Sequence, residues 1–153
     1  MNVIYPGESM HMDNRPSIFL ESNDEVWLDL ARRHLRKRGF DGHVFVPLAA
    51  NGTWAHQDPE LYDDWYLPSL ESATVVVFWM PGYEQRTIWN DASMFALSMV
   101  QATTPWRFLL GLPDLRESSP IFRQFKAVLA SQPNNVHSTM EALLDAAIKV
   151  VQK

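Results

Sequence analysis

The stretch Ala73-Thr74-Val75-Val76-Val77-Phe78-Trp79-Met80-Pro81-Gly82 contains an apolar run that ends at a proline and a glycine. Its residues 74–79 favour β-structure and lack the polar alternation of a half-exposed strand, so they predict a strand buried on both faces. Such a strand belongs in the middle of a parallel sheet. Because open α/β sheets bind ligands outside the carboxyl ends of their strands, residues 80–91 are the first place to look for a functional site.

The rest of the chain alternates short apolar segments with amphipathic ones. Further strands are predicted at 17–21, 44–46, 106–111 and 136–137, and helices at 24–38, 59–72, 88–100, 118–130 and 138–151. Pro68 should kink or divide the second helix near Tyr66, because proline lacks the N–H that an inner helical position needs. Ser138 and Glu141 have the spacing of a capping box at the start of the last helix.

This order of elements predicts a single-domain, doubly wound, flavodoxin-like α/β fold with a five-stranded, mainly parallel sheet flanked by helices. Residues 1–15 are interpreted as an N-terminal extension and residues 16–153 as the domain. We expect the strands at 17–20 and 74–79 to be adjacent, parallel and central. The strand at 44–46 should lie at one edge of the sheet.

Composition narrows the class of protein. The 153-residue chain has no cysteine, which excludes disulfides and thiolate metal sites and favours a cytoplasmic location. Its formal net charge of −5 gives no global attraction to nucleic acid or to anionic lipid. No targeting or membrane-spanning segment is evident. The one basic cluster is interpreted as a solvated helix face, and it consists of Arg32, Arg33, Arg36, Lys37 and Arg38.

Motifs for metals and cofactors are not found in the sequence. The histidines lack the spacing of metal ligands, so we expect no metal site; they are His11, His34, His43, His56 and His137. No glycine-rich phosphate loop is present either, which argues against a dinucleotide cofactor.

Several segments resemble the nucleoside 2-deoxyribosyltransferase-like family. Residues 3–8 followed by Pro16-Ser17-Ile18-Phe19-Leu20 are similar to that family's opening, whose first strand typically reads I-F-L-A-G-P. Trp27 resembles the tryptophan that opens the family's first helix, and residues 39–47 (GFDGHVFVP) resemble its second strand.

The resemblance continues into the second half of the chain. Trp65 with residues 70–81 is similar to the family's W-E…L…A-D-V-V-L-F-W-x-P block. Residues 111–113 (GLP) resemble the glycine and proline that follow its fourth strand. The order and spacing of these segments extend the resemblance over nearly the whole chain.

In that family a glutamate near the start of the third helix attacks the anomeric carbon of the nucleoside sugar. The matching segment here is Thr87-Ile88-Trp89-Asn90-Asp91-Ala92-Ser93, in which Asp91 aligns with the nucleophile. An alternative register places Asn90 there, which would remove nucleophilic catalysis. A carboxylate at a helix start is also favoured by the helix dipole alone. The resemblance implies transfer or hydrolysis at the N-glycosidic bond of a nucleoside or nucleotide, without a cofactor.

The chain departs from the family pattern near the expected site. Glu21-Ser22-Asn23 stands where the family has A-G-P, Tyr66 replaces the glutamate of W-E, and Thr74 replaces the aspartate of A-D. Glu21 could take over a catalytic role at the end of its strand, and Asp63, Asp64 and Glu84 are further candidate acids. A second hypothesis therefore stays open, in which a catalytically silent relative binds a nucleotide-like ligand or a protein partner through the same crevice.

Polar and aromatic side chains supply candidate binding residues. Ser22 and Asn23 could hold a sugar hydroxyl or a phosphate at the start of a helix, although such residues are also ordinary helix caps. Aromatic rings at Trp54, Tyr62, Trp65, Trp79, Tyr83 and Trp89 could wall a nucleobase pocket. The candidate substrate-binding set is Ser22, Asn23, Trp65, Trp79, Tyr83, Thr87 and Asn90. We also expect a homodimer or larger homo-oligomer, with residues 54–66 as an exposed apolar patch.

Overall fold

A computed structural model describes residues 1–10, 12–80, 100, 102–113 and 130–153. Six strands form one sheet in the order β1-β3-β2-β4-β5-β6, and every neighbouring pair is parallel. They are β1 (Asn2–Ile4), β2 (Ser17–Glu21), β3 (His43–Phe45), β4 (Val75–Trp79), β5 (Phe108–Gly111) and β6 (Val136–His137). The predicted α/β fold is confirmed, since β2 to β6 have the flavodoxin-like strand order.

The central pair of strands is confirmed and the predicted edge is wrong. Ile18 of β2 lies opposite Val75 of β4 in a parallel register. However, β3 is not an edge strand, because β1 pairs with its outer side, with Val3 opposite Val44. This sixth strand lies inside the segment interpreted as an extension. It was missed because three residues before Pro6 are too few to show a strand pattern.

Four α-helices have both ends within the described residues and flank the sheet: α1 (Glu25–Lys37), α2 (Pro59–Leu61), α3 (Leu67–Ser72) and α4 (Met140–Val151). The Asp24 carboxylate caps α1 by accepting a hydrogen bond from the Trp27 N–H, and Gly39 follows the helix with a φ of 71°. The predicted capping box at α4 is wrong by one residue. Thr139 is the cap, and its hydroxyl accepts from the Ala142 N–H.

Pro68 explains the division of the helix between Pro59 and Ser72. A single π-helical turn, Tyr62–Tyr66, separates α2 from α3 and lies immediately before the proline. An α-helical position at Pro68 would place its ring against the carbonyl of Asp64, and the wider π turn relieves that contact. The predicted break near Tyr66 is therefore confirmed, and the turn brings Trp65 and Tyr66 into the core.

Alternating side chains of the strands build two cores, one on each side of the sheet. We call the first side the α3 face, where Phe19, Phe45 and Phe78 pack against Tyr66 and Leu70. We call the second the α1/α4 face. Its members include Ile18, Leu20, Val75, Val77, Leu28, Leu35, Leu143 and Ile148. Since both faces are covered, the central strands are apolar throughout, as the run at 74–79 predicts.

Two further predictions concern the second half of the chain. Trp106 and Arg107 belong to a 3₁₀ turn, Pro105–Arg107, rather than to β5, so the strand is shorter than predicted. The predicted helices at 88–100 and 118–130 lie outside the described residues except for Val100 and Ala130. Within the described ranges, no helix has the length and apolar character needed to cross a membrane.

Candidate functional site at the carboxyl end of the sheet

The strand order creates a crevice between β2 and β4. From β2 the chain passes to β3 on one side, and from β4 it passes to β5 on the other side. The connections that follow β2 and β4 therefore diverge at the carboxyl ends of these two strands, which is where doubly wound folds bind ligands. Glu21 ends β2 and Trp79 ends β4 at this position.

Glu21 is the buried acid of the crevice. Its side chain is fully buried, and its Oε2 accepts a hydrogen bond of 2.9 Å from the Tyr66 hydroxyl. Tyr66 reaches it from the π turn on the α3 face and is fully buried as well. A buried carboxyl needs such a partner, because burying even a neutral polar group without a hydrogen bond costs about 2–7 kcal/mol. The pair fixes the position of the carboxyl group.

The Tyr66 hydroxyl is held in its protonated state. Burial raises its pKa well above the ordinary value of 10, and the charge of Glu21 and the hydrogen bond to it act in the same direction. Tyr66 therefore remains a donor throughout the neutral range. This donor orients one oxygen of Glu21. A group that acts on a substrate has to be held in a fixed geometry, and the hydrogen bond provides that.

An aromatic wall runs from Tyr66 toward the loop before α2. Tyr62 stacks on Tyr66 with ring centroids 5.4 Å apart, and His56 meets the Tyr66 ring edge-on at 6.3 Å. Trp54 stacks on His56 at 6.0 Å. Tyr62, His56 and Trp54 are half-buried, so part of this wall is accessible beside a buried carboxyl.

His56 adds a titratable group to the wall. It lies in the 3₁₀ turn Ala55–Gln57, and burial lowers its pKa below the ordinary 6.5. The imidazole is therefore neutral at pH 7, a form in which one ring nitrogen donates and the other accepts. A carboxyl, a phenol and a neutral imidazole thus form a connected set at the end of β2.

The sequence identified Glu21 as a candidate, whereas the roles of Tyr66 and His56 were missed. In the sequence, Tyr66 stands out only as a departure from the pattern of the family that the chain resembles. The available indication was Glu21 itself, since a carboxylate next to an apolar strand requires a buried donor. Nothing local in the sequence shows that the donor comes from a π turn 45 residues later.

Ser22 and Asn23 lie in the turn between β2 and α1. Ser22 is buried, and its Oγ accepts a hydrogen bond of 3.1 Å from the Asp24 N–H. Asn23 is half-buried in the same turn. The Ser22 hydroxyl thus holds the backbone that carries Glu21, and both residues lie at the predicted crevice.

The two candidate tryptophans have different surroundings. Trp65 is only 2% exposed and packs between Phe19 and Phe45 in the core of the α3 face. Trp79 lies on the α1/α4 face, where it stacks on Trp27 with centroids 5.6 Å apart and planes at 7°. The structure therefore does not bring Trp65 and Trp79 together in one wall.

Gly111 makes the position of Trp79 possible. A Cβ atom at residue 111 would lie 2.4 Å from Cε3 of the Trp79 ring and 2.7 Å from Leu143. The absence of a side chain there lets the indole lie flat against β5. Trp79 is half-buried at the end of β4, so its ring closes the α1/α4 side of the carboxyl edge.

The remaining candidates in the loop after β4 lie outside the described residues: Tyr83, Thr87, Asn90 and Asp91, together with Glu84 and Trp89. Among the alternative acids, Asp63 and Asp64 are exposed on the π turn. Thr74 lies at the amino end of the sheet, where it exchanges hydrogen bonds with Ser17. That is about 13 Å from Glu21, at ~3.3 Å per strand residue, so the departure at 74 does not alter the crevice directly.

The described residues contain no group of three or more His, Asp or Glu side chains arranged to hold a metal ion. No family model matches the chain, and no curated protein matches its sequence.

Proposed function

We propose that the crevice at the ends of β2 and β4 binds a nucleoside or nucleotide, and that the protein transfers or hydrolyses its N-glycosidic bond. The observation that carries the proposal is the buried Glu21–Tyr66 pair at the point where the strand order reverses. The resemblance to nucleoside 2-deoxyribosyltransferase-like proteins supplies the reaction class. The aromatic wall beside the pair supports a flat, stacking ligand.

The chemistry requires at least one carboxylate near the sugar. Cleavage of an N-glycosidic bond develops oxocarbenium-like charge at the anomeric carbon, which a fixed carboxylate stabilises. In this proposal Asp91 is the nucleophile implied by the resemblance, and Glu21 is the second, positioned carboxylate. Tyr66 orients Glu21, and the neutral imidazole of His56 can hydrogen-bond to the leaving base.

The direct test is release of free base from deoxynucleosides and their monophosphates, measured by liquid chromatography. We expect Asp91→Ala to abolish release and Glu21→Gln to lower it by about a hundredfold or more, as removal of a general acid–base or charge-stabilising group does. Asp63→Asn is the matched control, because Asp63 is an exposed carboxylate on the π turn that carries Tyr66. Its rate should equal that of the wild type.

Equal rates for Asp91→Ala and wild type would remove Asp91 as the nucleophile. Equal rates for Glu21→Gln and Asp63→Asn would remove Glu21 from the reaction. Absence of base release from every nucleoside and nucleotide would overturn the enzymatic proposal.

A silent binding protein is the second candidate. Tyr66 stands where the family that the chain resembles has a glutamate, so one acid of that family is missing here. The Tyr66 hydroxyl also donates a hydrogen bond to one oxygen of Glu21. In this case a nucleotide should raise the melting temperature without any release of base. Glu21→Gln should reduce that rise, and Asp63→Asn should leave it unchanged.

We further propose that the protein is cytoplasmic, requires no cofactor and forms a homodimer or larger homo-oligomer. The assembly does not rest on an apolar patch at residues 54–66, since Trp65 and Tyr66 are buried and Trp54 and Tyr62 half-buried. The exposed large hydrophobic side chains among the described residues are Val26, Leu30 and Trp106. Light scattering that gives the 17.6 kDa monomer mass would contradict the assembly.

A further inference from the structure

A second recess lies on the other side of the sheet from Tyr66. It is a groove of about 290 Å³ at the carboxyl ends of β1 and β3, on the α1/α4 face. Polar and apolar side chains form its wall: Tyr5, Glu25, Leu28, Arg32, Val46, Leu48, Ala49 and Ala50. This volume is at the lower limit of small-molecule sites, which begin at about 300 Å³. The groove exists because β1 and the residue after it, Tyr5, extend the sheet beyond β3.

The groove combines an apolar floor with one guanidinium, that of Arg32, and one carboxylate, that of Glu25. Leu28, Val46 and Leu48 supply the floor, and all three belong to the core of the α1/α4 face or pack against it. Arg32 donates to the Tyr5 hydroxyl through Nη1 and to Asp29 Oδ1 through Nη2 at 3.1 Å. Its Nε is buried and donates to no described residue, so the donors that a ligand can reach are those of the two Nη atoms. Arginine has five N–H donors, so the group retains capacity to bind an acceptor.

Positive charge predominates on helix α1, which borders the groove. Helix α1 carries two carboxylates, Glu25 and Asp29, against four cationic side chains: Arg32, Arg33, Arg36 and Lys37. Asp29 is shared by Arg32 and Arg33, with Arg33 Nη2 at 2.7 Å, so one carboxylate faces two guanidiniums. This local excess of positive charge contrasts with the net charge of −5 for the chain. Most of the basic cluster on α1 is therefore a solvated helix face, whereas Arg32 lies in the groove wall.

We propose that this groove binds a small organic anion, with its carboxylate or phosphate on Arg32 and its apolar part on Leu28, Val46 and Leu48. Tyr5 orients the guanidinium through the hydrogen bond to its hydroxyl. Charge-assisted bonds from arginine to either oxyanion have the same fork geometry, so the two headgroups share this site chemistry. The proposal does not rest on nucleoside chemistry, because Glu21 and Tyr66 interact on the α3 face.

The test uses three probes with one ring and different headgroups: phenylacetate, phenyl phosphate and neutral benzyl alcohol. Binding is followed by methyl chemical shifts of Leu28, Val46 and Leu48. We expect saturable shifts with a Kd below about 10 mM for at least one of the two anions. Benzyl alcohol should bind at least about tenfold more weakly, because a hydrogen bond to a charged group contributes that factor or more. Tighter binding of phenylacetate identifies a carboxylate ligand, and tighter binding of phenyl phosphate identifies a phosphate ester.

Two variants and one control test the site. Arg32→Gln should weaken binding of the anion by about tenfold or more. The control Arg33→Gln removes a cation that shares Asp29 but is 72% exposed and outside the groove wall, so it should change binding less than about twofold. Ala50→Phe, at an exposed loop position, should block the groove while leaving Arg32 and its ion pair intact.

The proposal is overturned if neither anion produces saturable shifts at the three floor residues. Equal affinity of benzyl alcohol and the anions also overturns it. So does wild-type affinity in Ala50→Phe, or an equal loss of affinity in Arg32→Gln and Arg33→Gln. Base release is measured separately and should be unchanged in Arg32→Gln, so failure here leaves the proposed N-glycosidic activity untouched.

Discussion

The two ends of the sheet each hold a buried ionisable side chain, and they pair it in different ways. At the carboxyl end, Glu21 and its donor Tyr66 are both fully buried. At the amino end, His43 is buried, but its partner Asp13 has 56% of its side chain exposed. Solvent therefore screens the His43–Asp13 pair, and it is excluded from the Glu21–Tyr66 pair.

The His43–Asp13 pair and the Glu21–Tyr66 pair have different roles. The His43 Nε2–H donates to Asp13 Oδ1 at 2.9 Å, and Arg15 binds both Asp13 and Asp41. These contacts fasten the segment before β2 to the start of β3, so they belong to the attachment of the N-terminal segment. The Glu21–Tyr66 pair fastens no terminus and lies at the ligand-binding edge. The comparison predicts large, salt-insensitive effects at the carboxyl end and small, salt-sensitive ones at the amino end.

Tyr66→Phe should cause the largest effect. It removes the hydroxyl that donates to Glu21 and leaves a buried carboxyl without that donor, which should lower the free energy of unfolding by about 1.5–3 kcal/mol. Urea unfolding measures the change, and Tyr62→Phe is the control because that half-buried ring stacks on Tyr66. A loss in Tyr66→Phe no greater than in the control would show that the pair contributes little to stability. Added salt should not alter the difference.

Alkaline pH gives the next largest effect. The pKa of Tyr66 is raised in the folded protein, so above pH 10 the unfolded chain loses the tyrosine proton while the folded protein keeps it. The stability contributed by the raised pKa is present below pH 10 and is lost as the pH rises. Wild type should therefore lose up to about 1.4 kcal/mol more per pH unit than Tyr66→Phe above that value. Parallel pH profiles of the two proteins would contradict the buried, protonated state of Tyr66.

The sequence predicts the sheet and the position of Glu21, but not the contacts that depend on tertiary structure. The doubly wound order followed from strands such as 17–21 and 74–79, because burial on both faces leaves a continuous apolar run. Glu21 was placed at a ligand-binding edge because the end of a parallel strand defines that edge. Tyr66 was not identified as its donor, since a contact over 45 residues depends on how a π turn aims one ring. The strand β1 was missed for a related reason, because its pairing with β3 is set by tertiary contacts rather than by its three residues.

The smallest effect should come from Asp13→Asn at the amino end. Hydrogen bonds from Arg15 and then from His43 hold the pKa of Asp13 well below its ordinary 3.8. A depressed pKa stabilises the fold above the unfolded value, and this contribution is lost as the pH falls below about 3.8. Wild type should thus melt slightly above Asp13→Asn at pH 6, and the difference should shrink both below pH 4 and in about 1 M salt, where the Debye length is ~3 Å. Asp63→Asn removes an exposed carboxylate on the π turn and is the control for the loss of one negative charge. A difference for Asp13→Asn that persists at low pH and high salt would mean that Asp13 holds the N-terminal segment by packing rather than by charge, and the contrast between the two ends of the sheet would then fail.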